Sequence, residues 1–284
     1  MILLRRIFPV LLAALCAAGG AQAGGRPVVV ELYTSQGCSS CPPADALLGR
    51  LAQQPGVIAI SLPITYWDML GWKDTLASGA NTRRQKAYAA AMGHGGVYTP
   101  QIVVDGVTDV VGSRAAQVEA AIAERRAQLT GVAREAARVE ADSERAAEAA
   151  RAAPGALSIP AMPAPPPGWD PIVPVSLRET PQEMRIDIGA VPGAHNATVW
   201  LFQLRSAVSV TIPTGENAGR TITYHNVAGD LRAVGVYHGR ALSLTLPKKT
   251  GVQHDGVAVV VQQGGYGHVI GAALISRPNY YAEQ

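Results

Sequence analysis

Val28-Val29-Val30-Glu31-Leu32-Tyr33-Thr34-Ser35-Gln36-Gly37-Cys38-Ser39-Ser40-Cys41-Pro42-Pro43-Ala44-Asp45 is the stretch that decides how this chain folds. Its first seven residues are short and β-branched, as in a strand covered on both faces. Gly37 to Cys41 breaks the run as a turn. Ala44 to Gln53 then places Ala46, Leu47, Leu51 and Ala52 on one helical face, and Pro55-Gly56 ends it. Val57 to Thr65 is a second, almost wholly apolar strand, which is how a strand reads when both its faces are buried. Strand, helix, strand in that order implies a right-handed crossover and parallel pairing.

The two cysteines therefore sit where a strand becomes a helix. Only a thiolate attacks a disulfide readily, and a helix N-terminus can stabilise that anion. A second sulfur one turn on can attack the mixed disulfide and release the partner. Cys38 is expected as the exposed nucleophile and Cys41 as the more buried resolving thiol. Their loop is too short for its closure to add much stability, so the pair reads as chemistry rather than reinforcement.

Working outward, Tyr66 to Asp74 is an aromatic-rich loop and Thr82 to Met92 a helix. Val97-Tyr98-Thr99-Pro100-Gln101-Ile102-Val103-Val104-Asp105-Gly106-Val107 places a proline at the mouth of a strand and a type I′ hairpin turn at Asp105-Gly106. In a topology of this kind Pro100 stands beside the cysteine pair, with the Thr99-Pro100 bond cis, and Thr99 is free to pair with an extended peptide. Thr99 and Pro100 thus join Cys38 and Cys41 as expected site residues.

Ser113 caps a helix whose first part closes this unit, and the remainder to Ala153 reads as a solvated extension. Arg125 and Ala136 interrupt its near-heptad seam of Val118, Ile122, Leu129, Val132 and Val139. Residues 153–174 carry eight prolines and read as a semi-extended linker. Beyond it the period becomes two, with strands expected at 172–177, 184–188, 198–204, 208–212, 221–225, 232–237, 242–246, 257–262 and 269–275. That density suggests an antiparallel sandwich or barrel. The fold class expected is α/β plus β.

At the N-terminus, Arg5-Arg6, an apolar run from Ile7 to Ala18 and Ala21-Gln22-Ala23 spell a signal peptide. The run is too short to span a bilayer, so no membrane attachment is expected after cleavage. Removal of residues 1–23 leaves 22 basic residues against 21 acidic ones and two of the three cysteines. A nearly neutral chain with 5% aromatic residues does not call for nucleic acid. The expected location is periplasmic or secreted, where disulfides persist. The expected layout is a signal peptide (1–23), an N-terminal unit (24–130), a helical and Pro-rich connector (131–171) and a β unit (172–284).

The cysteine pair, the proline and the element order resemble the thioredoxin fold. More narrowly, the chain resembles the secreted thioredoxin-like family catalogued as domain of unknown function 1223. The resemblance is carried by Glu31 to Asp45, Trp67 with Gly71-Trp72-Lys73-Asp74, Arg84-Gln85 with Tyr88, Val97 to Gln101, Gly215-Glu216-Asn217-Ala218-Gly219-Arg220-Thr221 and Tyr224-His225-Asn226-Val227. It implies a thioredoxin-like domain followed by an antiparallel β-sandwich-like domain, but no settled activity. Three departures from thioredoxin itself stand out. Ser-Ser separates the cysteines, Leu32 stands where thioredoxin buries a carboxylate with Glu31 one step off, and Pro42-Pro43 pushes the first regular helical turn past Cys38.

The function expected is thiol–disulfide exchange with the thiols or disulfides of proteins, with no cofactor and no metal. Two other readings stand beside it: a non-catalytic binding protein on a thioredoxin scaffold, with its main interface in residues 172–276 and a disulfide that never turns over, and a Cu(I) chaperone using the same cysteines, for which His94 is a conceivable further ligand. Trp67, Trp72 and Tyr88 either line a groove at the sulfurs or pack a loop on the sheet. Asp68 and Asp74 read as turn formers, Arg84 as one half of an internal ion pair, and Gly215 to Val227 as an ordinary hairpin turn rather than a polar site.

Overall fold

The computed structural model describes residues 26–152, 171–247 and 254–276. The expected signal peptide and nearly all of the Pro-rich linker lie outside the described residues. No helix among the described residues is long and apolar enough to cross a membrane.

The opening strand β1 (Val28–Thr34) is buried along its whole length and pairs in parallel with β2 (Val57–Pro63), Val28 opposite Val57 and Thr34 opposite Pro63. Helix α1 (Pro42–Leu51) makes the crossover between them. Side chains alternate between the two faces of β1, as a pleated strand requires. Val28, Val30 and Leu32 meet Leu47, Leu48 and Leu51 of α1, while Val29 and Tyr33 enter a second core on the opposite face. Helix α2 (Gly79–Ala91) begins three residues before the expected Thr82, because the hydroxyl of Ser78 accepts from the Asn81 amide and caps it there.

Strands β3 (Gln101–Val104) and β4 (Thr108–Val111) form the expected hairpin, with β3 antiparallel to β1. Asp105 and Gly106 both have positive φ, 53° and 68°, as a type I′ turn demands. Helix α3 (Ala115–Ala152) buries Val118, Ile122, Arg125 and Leu129, and its later turns are mostly exposed. Arg125, which breaks the apolar seam in the sequence, donates from Nε to Asp105 Oδ2 at 2.8 Å.

The second half supplies β5 (Val175–Glu179), β6 (Glu183–Ile188), β7 (Ala197–Thr211), β8 (Thr221–Tyr237), β9 (Leu242–Pro247), β10 (Gly256–Gln263) and β11 (Val269–Ser276). They stack in two layers, as the expected sandwich does, but one layer does not end with them. Four of them continue the first half's sheet, in the order β11-β10-β7-β8-β2-β1-β3-β4, and β5-β6-β9 form a separate three-stranded sheet. Strand β8 runs parallel to β2, with Val227 opposite Ser61 and the Asn226 amide donating to Ala59 O at 2.9 Å. The result is a mixed α/β structure with one large sheet and one small one.

The physical reason lies in β7 and β10, which are apolar on both faces. Phe202, Leu204, Ala258 and Val260 share a core with Val29, Tyr33, Ile58 and Ile60, whereas Val199, Leu201, Val257 and Val259 pack against Met184, Ile186 and Ile188 of the small sheet. Each face needs its own cover, and the first half is one of them. Two pairs of expected strands also merge into the long β7–β8 hairpin. Gln203 pairs with Asp230 and Leu204 with Ala228, so Gly229 is an extra residue in a β-bulge where the sequence suggests a turn.

Candidate functional site

Cys38 and Cys41 are joined as a disulfide, with Cα atoms 5.4 Å apart. Cys41 is the N-cap of α1, and the Ala44 and Asp45 amides both donate to its carbonyl. Pro42 and Pro43 occupy the first two helical positions, so Cys38 lies a full turn before the helix, as the paired prolines suggest. Cys41 is wholly buried, as expected, but Cys38, expected to be exposed, is only 3% exposed; Ser39 and Ser40 between them are the exposed residues of the loop. The Ser40 hydroxyl lies 3.4 Å from Cys38 Sγ.

Thr99 and Pro100 lead into β3 and approach the start of α1. The Thr99–Pro100 bond is cis. A methyl group placed on Gly112 would meet Ala44 Cβ at 3.1 Å and Pro100 Cβ at 3.3 Å, so the proline stands at the first turn of α1. Trp67 links the two parts of the site. Its indole N–H donates to Thr99 Oγ1 at 2.7 Å, and its Cβ lies against Gly37. Trp72 donates to Gln36 Oε1 at 2.7 Å. Tyr88 is not at the groove. It is fully buried and donates to Glu31 Oε1 at 2.7 Å.

Asp74 is the turn former expected, and its reach is longer than a turn. It accepts from the Leu76 and Ala77 amides and from the Gln36 amide at 2.7 Å, so it holds the strand exit that leads to Cys38. Burial raises the Asp74 carboxyl above its ordinary range, against the pull of those three amides. Asp68 in turn accepts from the Asp74 amide.

Sequence reasoning missed two parts of this site. Asp45 lies four residues after Cys41 on α1, and residues so spaced share a helix face. It is 2% exposed, and neither carboxylate oxygen has a hydrogen-bond partner among the described residues. Burial drives its pKa up to about 8, with Asp74 adding to the rise and the Thr34 hydroxyl opposing it. The hydroxyls of Ser61 and Tyr224 are likewise buried, with no hydrogen-bond partner among the described residues. The signal was present in the i, i+4 spacing from Cys41 to an acidic residue.

The second is the loop between β7 and β8. The sequence gives a hairpin there, and a hairpin forms, but its tip rests on the cysteine loop. Asn217 is fully buried, and its amide donates to Gln36 O and Cys38 O, both at 2.9 Å. Glu216 Oε2 accepts from the Ser39 amide at 3.2 Å, and Thr214 Oγ1 donates to Gly71 O at 2.8 Å. Arg220 donates to Asn217 Oδ1 at 3.2 Å. His225, further along β8, is pressed against Gly49 of α1, and burial lowers its pKa.

Arg84 is paired inside the fold, as expected. Its Nε and Nη2 bind Glu31 at 2.6 and 2.8 Å, and the rings of Tyr88, Trp200, Phe202 and Tyr266 surround it. Glu31 therefore faces away from α1, and Asp45 supplies the buried carboxyl on the cysteine side. Among the described residues no group of three His, Cys, Asp or Glu side chains is arranged to hold a metal. His94 instead lies 2.9 Å from Asp109 Oδ1.

A family model described as a protein of unknown function, DUF1223, matches residues 29–162 and 164–262. The chain belongs to the DUF1223 family. A stretch of 52 residues is 36% identical to a "Probable Thioredoxin" of Archaeoglobus fulgidus, covering 18% of this chain and 55% of that protein. Among solved structures, this DUF1223 chain is similar to protein AGR_C_4864 from Agrobacterium tumefaciens, with 29% identity, a TM-score of 0.66, and coverage of 92% of this chain and 98% of that one. HBP35 of Porphyromonas gingivalis is similar in fold alone, at 12% identity and a TM-score of 0.53, covering 92% and 79% of the two chains.

Proposed function

We propose that this DUF1223 protein is a thiol–disulfide oxidoreductase with a thioredoxin-like first half, acting on the thiols or disulfides of partner proteins in the periplasm or outside the cell. The observation that carries the reading is the bonded Cys38–Cys41 pair at the junction of β1 and α1, supported by the cis Thr99–Pro100 bond, whose proline lies near Ala44 of α1 and whose threonine is bonded to Trp67. The partial likeness to a thioredoxin supports it. Cys38, the less deeply buried of the two, is the nucleophile, and Cys41 resolves the mixed disulfide.

Asp45 is the acceptor for the proton that Cys41 must lose. A thiol ordinarily titrates at about 8.5, and Asp45 at about 8. Groups matched in this way exchange a proton with little driving force wasted in either direction.

The slight exposure of Cys38 favours one rival, a binding protein whose disulfide never turns over. Reaction with oxidised glutathione and with a disulfide-bonded peptide separates the two. The reduced protein should reduce both and return to its own disulfide, and Cys41→Ser should stop at a mixed disulfide on Cys38. Thiols inert to both reagents, with no mixed disulfide in the variant, would leave the binding protein as the reading.

A further inference from the structure

The backbone donors around Cys38 can be followed one by one. Gln36 N donates to Asp74 Oδ2 at 2.7 Å, and Gly37 N to Ser35 Oγ at 3.1 Å. Cys38 N donates to Ser35 O at 3.1 Å, and Cys41 N to Cys38 O at 3.1 Å. Ser39 N is held by Glu216 Oε2 at 3.2 Å. Pro42 and Pro43 have no N–H to give. Among the described residues, the run from 36 to 43 leaves Ser40 N as its one backbone N–H without a partner, and the hydroxyl seen beside Cys38 Sγ is that of Ser40, at 3.4 Å.

The charges point the same way. Asp74 and Glu216 each grip an amide of the cysteine loop, and Asp68 stands behind Asp74. Arg220, on the same β7–β8 loop, turns its guanidinium to Asn217 Oδ1. A thiolate at Cys38 would meet few backbone donors and the carboxylates of Asp74 and Glu216 that already hold the loop's amides. A poorly supported thiolate makes a weaker acid, and a dithiol that gains little from ionising gives up its electrons readily.

Building on the oxidoreductase reading, we propose that Glu216, reaching over from the β7–β8 loop, is a positioning residue that holds Cys38 as a weak acid and makes the pair an electron donor, a reductant of partner disulfides. Cys38 sulfur attacks one sulfur of the partner disulfide, whose S–S bond breaks and whose other sulfur leaves and takes up a proton. Cys41 sulfur, its proton passed to Asp45, then attacks Cys38. The partner's second sulfur departs as a thiol and the Cys38–Cys41 bond forms. Two electrons and two protons pass to the partner, and a dithiol reductant must restore the pair for another cycle.

The test is titration of Cys38 by pH-dependent alkylation, together with equilibration against glutathione, in the wild type, Glu216→Gln and Ser40→Ala. The wild-type thiol should titrate at or above about 8.5 and the pair should rest mainly as the disulfide. Glu216→Gln keeps an acceptor for the Ser39 amide and removes the charge. It should raise the thiolate fraction at neutral pH by about threefold to tenfold and move the glutathione equilibrium toward the dithiol by a similar factor. Ser40→Ala should shift both the other way. A wild-type Cys38 that is mostly ionised at neutral pH, or a Glu216→Gln variant that exchanges like the wild type, overturns the proposal while leaving the oxidoreductase reading intact. A wild-type pair that exchanges with nothing sinks both.

Discussion

Replacing Asp45 by asparagine keeps the shape of a buried side chain and removes its acid. The folded protein holds this carboxyl with a pKa of about 8 against an ordinary 3.8, because burial outweighs the opposing Thr34 hydroxyl. Below about pH 4 the group is neutral in both folded and unfolded chains and costs nothing. As the pH rises from there, the unfolded chain releases the proton and the folded one keeps it, so wild-type stability falls by about 1.4 kcal/mol per pH unit. The fall ends where the folded carboxyl itself ionises. At neutral pH the accumulated penalty is about 4 kcal/mol, a large share of the roughly 5–15 kcal/mol that holds a typical domain together. Asp45→Asn should therefore match the wild type in acid and exceed it by about that amount at neutral pH. Urea denaturation of both proteins across this range measures the difference directly. Parallel stability profiles would refute the reasoning, since they would mean that Asp45 ionises alike in both states. The same variant should resolve mixed disulfides more slowly, so a gain in stability should accompany a loss of turnover.

Gly49→Ala should destabilise by about 1–3 kcal/mol, because a Cβ there would lie 2.6 Å from His225 Cδ2 and 2.8 Å from Nε2. Thermal denaturation should show the loss, and adding His225→Ala should recover most of it. Arg84→Met should cost about 3–5 kcal/mol in urea denaturation by leaving Glu31 charged and buried, with Glu31→Gln restoring a good part. A variant as stable as the wild type would contradict the ion pair seen between Arg84 and Glu31.

What could be read in the sequence was what is local. The β1 run, the break at Gly37, the helix after Pro43 and the Asp105-Gly106 turn each depend on neighbours a few positions away, and each formed. Asp105 shows where that stops. Its turn chemistry was visible, yet the same carboxylate takes Arg26, Arg125 and the Val29 amide, partners spread across the first half. Asn217 is more extreme, since a plain hairpin residue satisfies two carbonyls about 180 positions earlier. No periodicity marks such a contact. The continuous sheet was missed for a related reason. A strand apolar on both faces announces that it needs two covers, and nothing in its pattern says which segments supply them.

The seam between β2 and β8 has a temporal side. A nascent chain has made β1, α1, β2 and α2 long before β8 exists, so β2 waits with its outer edge bare and Tyr33, Ile58 and Ile60 without the Phe202 and Val260 side of their core. Pairings this distant in sequence form late, and an uncovered edge beside apolar surface is where chains stick to one another. Holding the chain extended until its last strands arrive, or shielding that edge meanwhile, decides the yield of native protein. A fragment cut off before β7 would wait indefinitely.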